Sequence, residues 1–378
     1  MQNLHTWCRS ESPALRETIE ALVRLESPST DKHAADRCGN ELARRLEAMR
    51  GQVARLAQTA CADHVCARFG SGRRHVLLLG HFDTVWNVGQ IGRMPIREAD
   101  GRLYGPGIFD MKAGIGVGML AVRALQQHTL PWPRVTMLWT ADEEIGSGTS
   151  RATIEEEARA CDAVLVLEPS LPGGAAKTSR KGCGEFELVV RGVSAHAGVD
   201  PSKGASAILE LAHQVVRLAS IQDPDRGVTV NVGVVRGGTR GNVVADEARA
   251  VVDVRVPTMA EAARVEAALH ALRPAVSGTR LEVHGAVTRP PLERSASVQR
   301  LYSTAREVAR ELGFDLGEGG TGGGSDGNFT AALGVPTLDG LGPRGDGAHA
   351  LHEHVESADL PWRAAFLAAL LARLEGVE

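Results

Sequence analysis

Residues 76–86 read VLLLGHFDTVW. The apolar run 76–79 closes on Gly80, and His81 and Asp83 follow two positions apart. A short apolar run that does not alternate with polar residues is the pattern of a strand buried on both faces. Two residues spaced by two beyond its end can point the same way.

The flanking segments repeat this pattern. Residues 135–140 and 163–168 are further buried-strand runs, and 113–127 is a helix rich in small residues. Ser12-Pro13 opens a helix to about residue 26. A second helix covers 34–50 and stops at Gly51. Strands alternating with helices predict a mostly parallel sheet with helices on both faces. Near Gly184 the pattern changes. Strand 185–191, helix 205–219, half-exposed strands 228–235 and 248–256, helix 259–272 and strand 279–284 follow in the order β-α-β-β-α-β, a ferredoxin-like unit. Helix 295–312, the loop GEGGTGGGSDGN, the strand PTLDGLG and a helix over 360–374 close the chain. The expected fold class is α/β. Residues 1–183 and 289–378 form one domain, and an α+β domain over 184–288 is inserted into it.

The 378 residues exceed what one core usually serves. A net charge of −4 offers no basic footprint for nucleic acid. No apolar run is long enough to cross a membrane, and the first residues lack an apolar signal core, so the expected location is cytoplasmic. The six cysteines are scattered and are expected as free thiols.

Five segments place metal-type ligands at strand ends or just beyond them: GHFDTVW with His81 and Asp83, YGPGIFDMKAG with Asp110, TADEEIGS with Glu143 and Glu144, LVLEPS with Glu168, and GAHALHEHV with His349, His352 and His354. Alone, an HxD is more often a turn, and an EE pair more often a solvated loop. Together they converge, because sites of open α/β sheets form beyond the carboxyl ends of strands. Several carboxylates brought together need a cation to offset their repulsion. Imidazole and carboxylate ligands without thiolate suit catalytic zinc, with cobalt or manganese as substitutes.

These motifs, with VSAHAG and TGGGSDG, resemble the zinc aminoacylase/carboxypeptidase family over about residues 15–375. The resemblance implies two Zn2+ ions. His81 and Glu168 would hold one, Glu144 and His349 the other, and Asp110 would bridge them. His349 is favoured over His352 and His354 because it precedes Glu353 by four residues, as in the family's H-x-x-x-E-x-V pattern. Glu143 would be the general base, and Asp83 would orient His81. The Asp110–Met111 peptide would be cis. The inserted domain would be a lid and dimerisation domain, with His196 reaching a homodimer partner's site to stabilise the oxyanion. Asn242, Arg255 and Arg289 are candidates for the substrate carboxylate, and Gly324 for a backbone contact to substrate. The glycine loop could alternatively cradle a phosphate, although it lacks the lysine of a P-loop. The resemblance implies cleavage of N-acyl or peptidyl amino acids, with glutamate release favoured. An N-acetylornithine-deacetylase-like enzyme, and a metal-free binding protein on the same fold, are the competing readings.

Overall fold

The computed structural model describes residues 2–128 and 130–376. Two compact units emerge. Unit 1 runs to Thr178 and resumes at Arg294–Gly320 and from Ser325; unit 2 is Ser179–Glu293 with Thr321–Gly324.

Unit 1 opens with α1 (Gln2–Ser10), α2 (Ser12–Arg24) and α3 (Lys32–Ala48). Then come β1 (Gln52–Leu56), β2 (His64–Phe69), β3 (His75–His81), β4 (Arg97–Ala99), β5 (Arg102–Tyr104), α4 (Ala113–His128), β6 (Arg134–Thr140), α5 (Arg151–Arg159), β7 (Ala163–Val166) and β8 (Ala176–Arg180). Unit 2 contributes β9 (Gly182–Arg191), α6 (Ala207–Ala219), β10 (Thr229–Gly237), β11 (Glu247–Val256), α7 (Met259–His270) and β12 (Arg280–Arg289). The chain ends through α8 (Ala296–Glu311), β13 (Glu318–Thr321), α9 (Gly327–Ala332), β14 (Thr337–Leu338), β15 (Gly345–Asp346), β16 (His354–Glu356) and α10 (Asp359–Glu375).

The main sheet of unit 1 has the order β1-β2-β6-β3-β7-β14. Strands β6, β3, β7 and β14 are parallel, and β2 runs antiparallel to both its neighbours. Alternation explains the unbroken apolar run of β3. Val76 and Leu78 join the core that includes residues of α2, α4 and α10, whereas Leu77 and Leu79 join a second core with Ile154 of α5 and Phe329 of α9. Both faces are covered, so none of positions 76–79 is left to a polar residue. Parallel direction brings the ends of β3, β6 and β7 to one edge, and His81, Glu143, Glu144 and Glu168 lie at or just past those ends.

Helix α4 sets the depth of that edge. A Cβ at Gly114 would stand 2.1 Å from the Leu167 carbonyl oxygen. Only glycine lets the helix start this close to the residue that precedes Glu168.

Unit 2 is an antiparallel sheet of order β10-β11-β9-β12. Helices α6 and α7 share its core. The sequence boundaries at 184 and 288 fall inside this unit. The β9–β12 ladder extends to the Cys183–Arg289 pair, and a bridge joins Arg180 to Leu292, so the unit's hydrogen bonding reaches past both positions. None of the described helices is long and apolar enough to cross a membrane.

Candidate metal centre

His81 ends β3 fully buried. Its Nδ1 lies 3.0 Å from the main-chain carbonyl of Asp83. A carbonyl can only accept, so Nδ1 carries a proton and Nε2 faces the site. Nε2 is 3.2 Å from Asp110 Oδ1 and 3.3 Å from Glu168 Oε1. On the other side, His349 Nε2 lies 3.2 Å from a Glu144 oxygen and 3.4 Å from Asp110 Oδ2. Asp110 therefore turns one oxygen to each imidazole, and each imidazole meets a second carboxylate.

The spacing suits divalent ions. Zinc bonds of about 2.0–2.1 Å in a tetrahedron put neighbouring donors about 3.3 Å apart. Of the three histidines in 349–354, His349 is the one whose ring meets Glu144 and Asp110. His352 pairs with Asp346 at 3.9 Å, and His354 lies against Tyr104 with Nδ1 on the His352 carbonyl. His349 also has φ of 61°, in the left-handed region that few side chains adopt. The Asp110–Met111 peptide is cis.

Electrostatics follow from this crowding. Burial opposes charge on His81, yet Asp110, Asp83 and Glu168 outweigh it and hold the imidazole well above its ordinary pKa. Hydrogen bonds that His349 donates to the carboxylates of Asp110 and Glu144 raise its pKa to about 10. Burial would lift Asp110, but the two histidines hold it below the usual carboxylate range. Burial pushes Glu144 up. Both imidazoles thus keep protons at neutrality in the metal-free protein, and a metal must displace them. Zinc titrated into metal-free protein at pH 7 in weak buffer is expected to release about two protons per chain. Release near zero would show that these histidines are not the ligands.

Two carboxylates set the scaffold. The carboxylate of Asp83, expected to orient His81, stands 3.4 Å from Nδ1, with the Asp83 main-chain carbonyl nearer at 3.0 Å. The same carboxylate also accepts from Ser29 Oγ at 2.7 Å and from the amides of Glu143 and Glu144 at 3.3 and 3.2 Å. It ties the turn bearing both glutamates to the end of β3. Glu353, which the sequence used only as a spacing marker, is almost wholly buried. It accepts from Trp86 Nε1 and from the amides of Gly107, Phe109 and Asp110 at 2.8–3.1 Å, fixing the loop that delivers Asp110. Burial raises its pKa to about 7. The buried Lys112 donates to the carbonyls of Leu22 and Leu25 and so caps the end of α2.

Cys61, His64 and Asp142 form a second buried group of metal-type donors. Their hydrogen bonds tell against a cation. The Ala141 amide donates to His64 Nδ1 at 3.2 Å, so the ring proton sits on Nε2, facing Thr149 Oγ1 at 3.1 Å. Thr149 passes the chain on to Asp142 at 2.7 Å. Burial lowers the His64 pKa and keeps the ring neutral. The group braces the residue preceding Glu143.

In unit 2, Arg255 pairs across the sheet with Cys183, which pairs with Arg289. Residues directly opposite share a face, so the two guanidinium side chains flank the thiol. Gly324 packs on this row; a Cβ there would lie 2.7 Å from Arg289 Cδ and 3.1 Å from Cys183 Sγ. Arg255 is partly committed, with Asp253 at 2.9–3.1 Å and Cys183 at 2.8 Å. Arg180 donates to the carbonyls of Gly323 and Gly324. The glycine loop thus presents carbonyls to a guanidinium, which does not suit a phosphate cradle. Its continuation is buried in unit 1, where Asp326 accepts from Thr140 and Ser147, and Ser325 donates to Asp339.

Asn242 and His196 lie at the other end of the sheet. Asn242 accepts from the Ala197 amide at 3.0 Å, and His196 bridges to Val243. From Arg255 back to Glu247 the eight-residue advance along β11 covers roughly 27 Å, and the pairing of Asn242 with Ala197 continues beyond Glu247. Asn242 therefore does not join the two arginines. His196 is exposed, and its Nδ1 accepts from the Gly198 amide at 3.1 Å, which leaves Nε2–H as a donor.

The profile of Peptidase family M20/M25/M40 matches residues 77–373. Carboxypeptidase G2 of Pseudomonas sp. (strain RS-16) is 30% identical over 376 residues, covering 96% of this chain and 90% of the relative. The crystal structure of aminopeptidase PepT from Bacillus cereus ATCC 10987 is similar at a TM-score of 0.78 with 21% identity, covering 96% of this chain and 98% of the other. The Bacillus subtilis YXEP protein, a dinuclear metal-binding peptidase, is similar at 0.70 with 16% identity and full coverage of both chains.

Proposed function

Because the chain belongs to peptidase family M20/M25/M40, we propose that it is a two-zinc hydrolase that cleaves the amide bond of N-acyl or peptidyl amino acids, with glutamate released. The observation that carries the metal assignment is Asp110, with one oxygen at His81 and the other at His349. His81, Asp110 and Glu168 would hold one ion, and His349, Asp110 and Glu144 the other. Bound zinc would polarise the scissile carbonyl and make the attacking water acidic. Glu143 takes the proton from that water and delivers it to the leaving nitrogen. The turn tied by Asp83 fixes its approach. His196 donates Nε2–H to the oxyanion. Arg289 and Arg255 take the substrate carboxylate.

The favoured subtype follows the likeness to carboxypeptidase G2. Zinc analysis and hydrolysis of N-acylglutamates, dipeptides and N-acetylornithine test the reading. Zinc-loaded protein is expected to release glutamate. Turnover of N-acetylornithine alone would move the subtype to the deacetylase reading. Absence of zinc together with absence of hydrolysis after zinc addition would leave a binding protein.

We propose a homodimer formed through unit 2. Helix α6 exposes Ile208, Leu209 and Val216, and the edge strand β10 exposes Val234 and Val235. An apolar edge of this kind invites pairing. With His196 acting across the dimer, Glu143→Ala and His196→Ala chains should complement each other. Each homodimer has two broken sites, whereas a mixed dimer has one intact site. Random pairing then restores about a quarter of wild-type activity. Mixing the two chains after denaturation and refolding, and assaying the mixture, checks this; no recovery would put His196 in its own chain's site or outside catalysis.

A further inference from the structure

One imidazole ties both ends of the loop that carries the two adjacent glutamates. That loop runs from Ala141, just past β6, to Ser150, just before α5. His64 opens β2 and is fully buried. Its Nδ1 accepts the Ala141 amide at 3.2 Å, where the loop begins. Its Nε2–H meets Thr149 Oγ1 at 3.1 Å, where the loop ends. A ring fixed in the sheet therefore sets how far apart residues 141 and 149 stand.

The protons around Thr149 can be assigned one by one. Its amide and its hydroxyl both donate to Asp142 Oδ2 at 2.7 Å, and the Ser150 amide donates to the same oxygen at 3.2 Å. With its one proton on Asp142, the hydroxyl oxygen accepts from His64 Nε2 and from the Cys61 thiol at 3.0 Å. Asp142 is buried and directly precedes Glu143. Its main-chain carbonyl accepts the amides of Ile145 and Ser147 at 3.3 and 2.8 Å. The backbone of Glu143 is thus held twice, by β3 through Asp83 and by β2 through His64, Thr149 and Asp142.

We propose that Thr149 is a positioning residue for Glu143: its hydroxyl, oriented by His64, holds Asp142 and with it the approach of the Glu143 carboxylate to the attacking water. This rests on the amidohydrolase reading above and adds to it what places the base. A displacement of about 1 Å can cost about a hundredfold in rate, so loosening one of two anchors is expected to cost about tenfold. Substrate affinity is assigned to the arginines of unit 2, so KM is spared.

The test uses zinc-loaded protein and glutamate release. Thr149→Val keeps the shape and removes the hydroxyl, and Thr149 is only half-buried, so the core is left alone. It is expected to lower kcat by about tenfold with KM and zinc content unchanged, and Thr149→Ser to restore kcat. His64→Asn keeps an acceptor for the Ala141 amide and drops the donor to Thr149; it should lower kcat by about threefold. In a Glu143→Ala background, Thr149→Val should cost less than about twofold, because the group it positions is gone. A kcat within about twofold of wild type in Thr149→Val, or an equal loss in the Glu143→Ala background, overturns the proposal. Amide hydrogen exchange of residues 141–150 needs no turnover. It should quicken by about fivefold or more in Thr149→Val and return to the wild-type rate in Thr149→Ser. If the wild type cleaves nothing but exchange follows this pattern, the hold on the loop stands and the amidohydrolase reading fails. If glutamate is released and exchange in Thr149→Val is unchanged, the positioning role fails alone.

Discussion

Glu143→Ala lowers kcat by about three to four orders of magnitude while zinc stays bound. The reason is local. Glu143 and Glu144 are neighbours on one short turn, and Asp83 accepts the amides of both. The Glu144 carboxylate lies against His349, which places it in the proposed ligand cluster. Glu143 is assigned the proton, moved once from water and once to the leaving nitrogen. Removing it takes away both transfers and leaves the cluster intact. Zinc content by elemental analysis, with kcat from a glutamate-release assay, checks this. Activity within tenfold of wild type would remove Glu143 from the base role. A variant that lost its zinc would show that the two glutamates share the ligand role.

Asp110→Ala has the second large effect. One carboxylate faces both imidazoles, so a single substitution reaches both halves of the proposed two-zinc centre. Zinc affinity should fall by more than about a hundredfold, with turnover lost alongside it. Glu168→Ala makes the control, because the Glu168 carboxylate lies 3.3 Å from His81 Nε2, on the first of the two proposed ions. It should weaken one ion and spare the other. Titrating zinc against a chromogenic chelator separates the two results. If Asp110→Ala kept two ions, the shared carboxylate would have no bridging role.

Much of this was legible in the sequence for a physical reason. Strands buried on both faces read as continuous apolar runs, and ligands placed just past their ends are marked by contrast. Residues 76–86 and 135–144 carry that signal. What escaped lacks such contrast. Helix α1 buries only Leu4 and Cys8 among its described side chains, too few to show a helical period. Strand β2 begins on the buried His64 and carries the exposed Arg68 before Phe69, so its apolar run is short and interrupted. Glu353 works through amides, which no sequence displays. The row of Arg255, Cys183 and Arg289 depends on strand register, and the distance from Arg255 to Asn242 on the length of β11. The first is a relation between residues far apart in the chain, and the second is set by how far one strand extends.

The left-handed backbone at His349 bears on how this site can change over generations. At φ of 61° a replacement must suit the backbone as well as the ion. Asparagine and aspartate join histidine among the side chains that tolerate this region. A single first-base change turns a histidine codon into either. Most other substitutions are disfavoured twice, by geometry and by loss of the ligand. Aspartate alone of these keeps both the backbone and an ionised donor, replacing a nitrogen by an oxygen. Such a change shifts preference from zinc towards manganese or magnesium. The position therefore confines mutational drift to a narrow path, along which metal choice can be inherited while the loop keeps its shape.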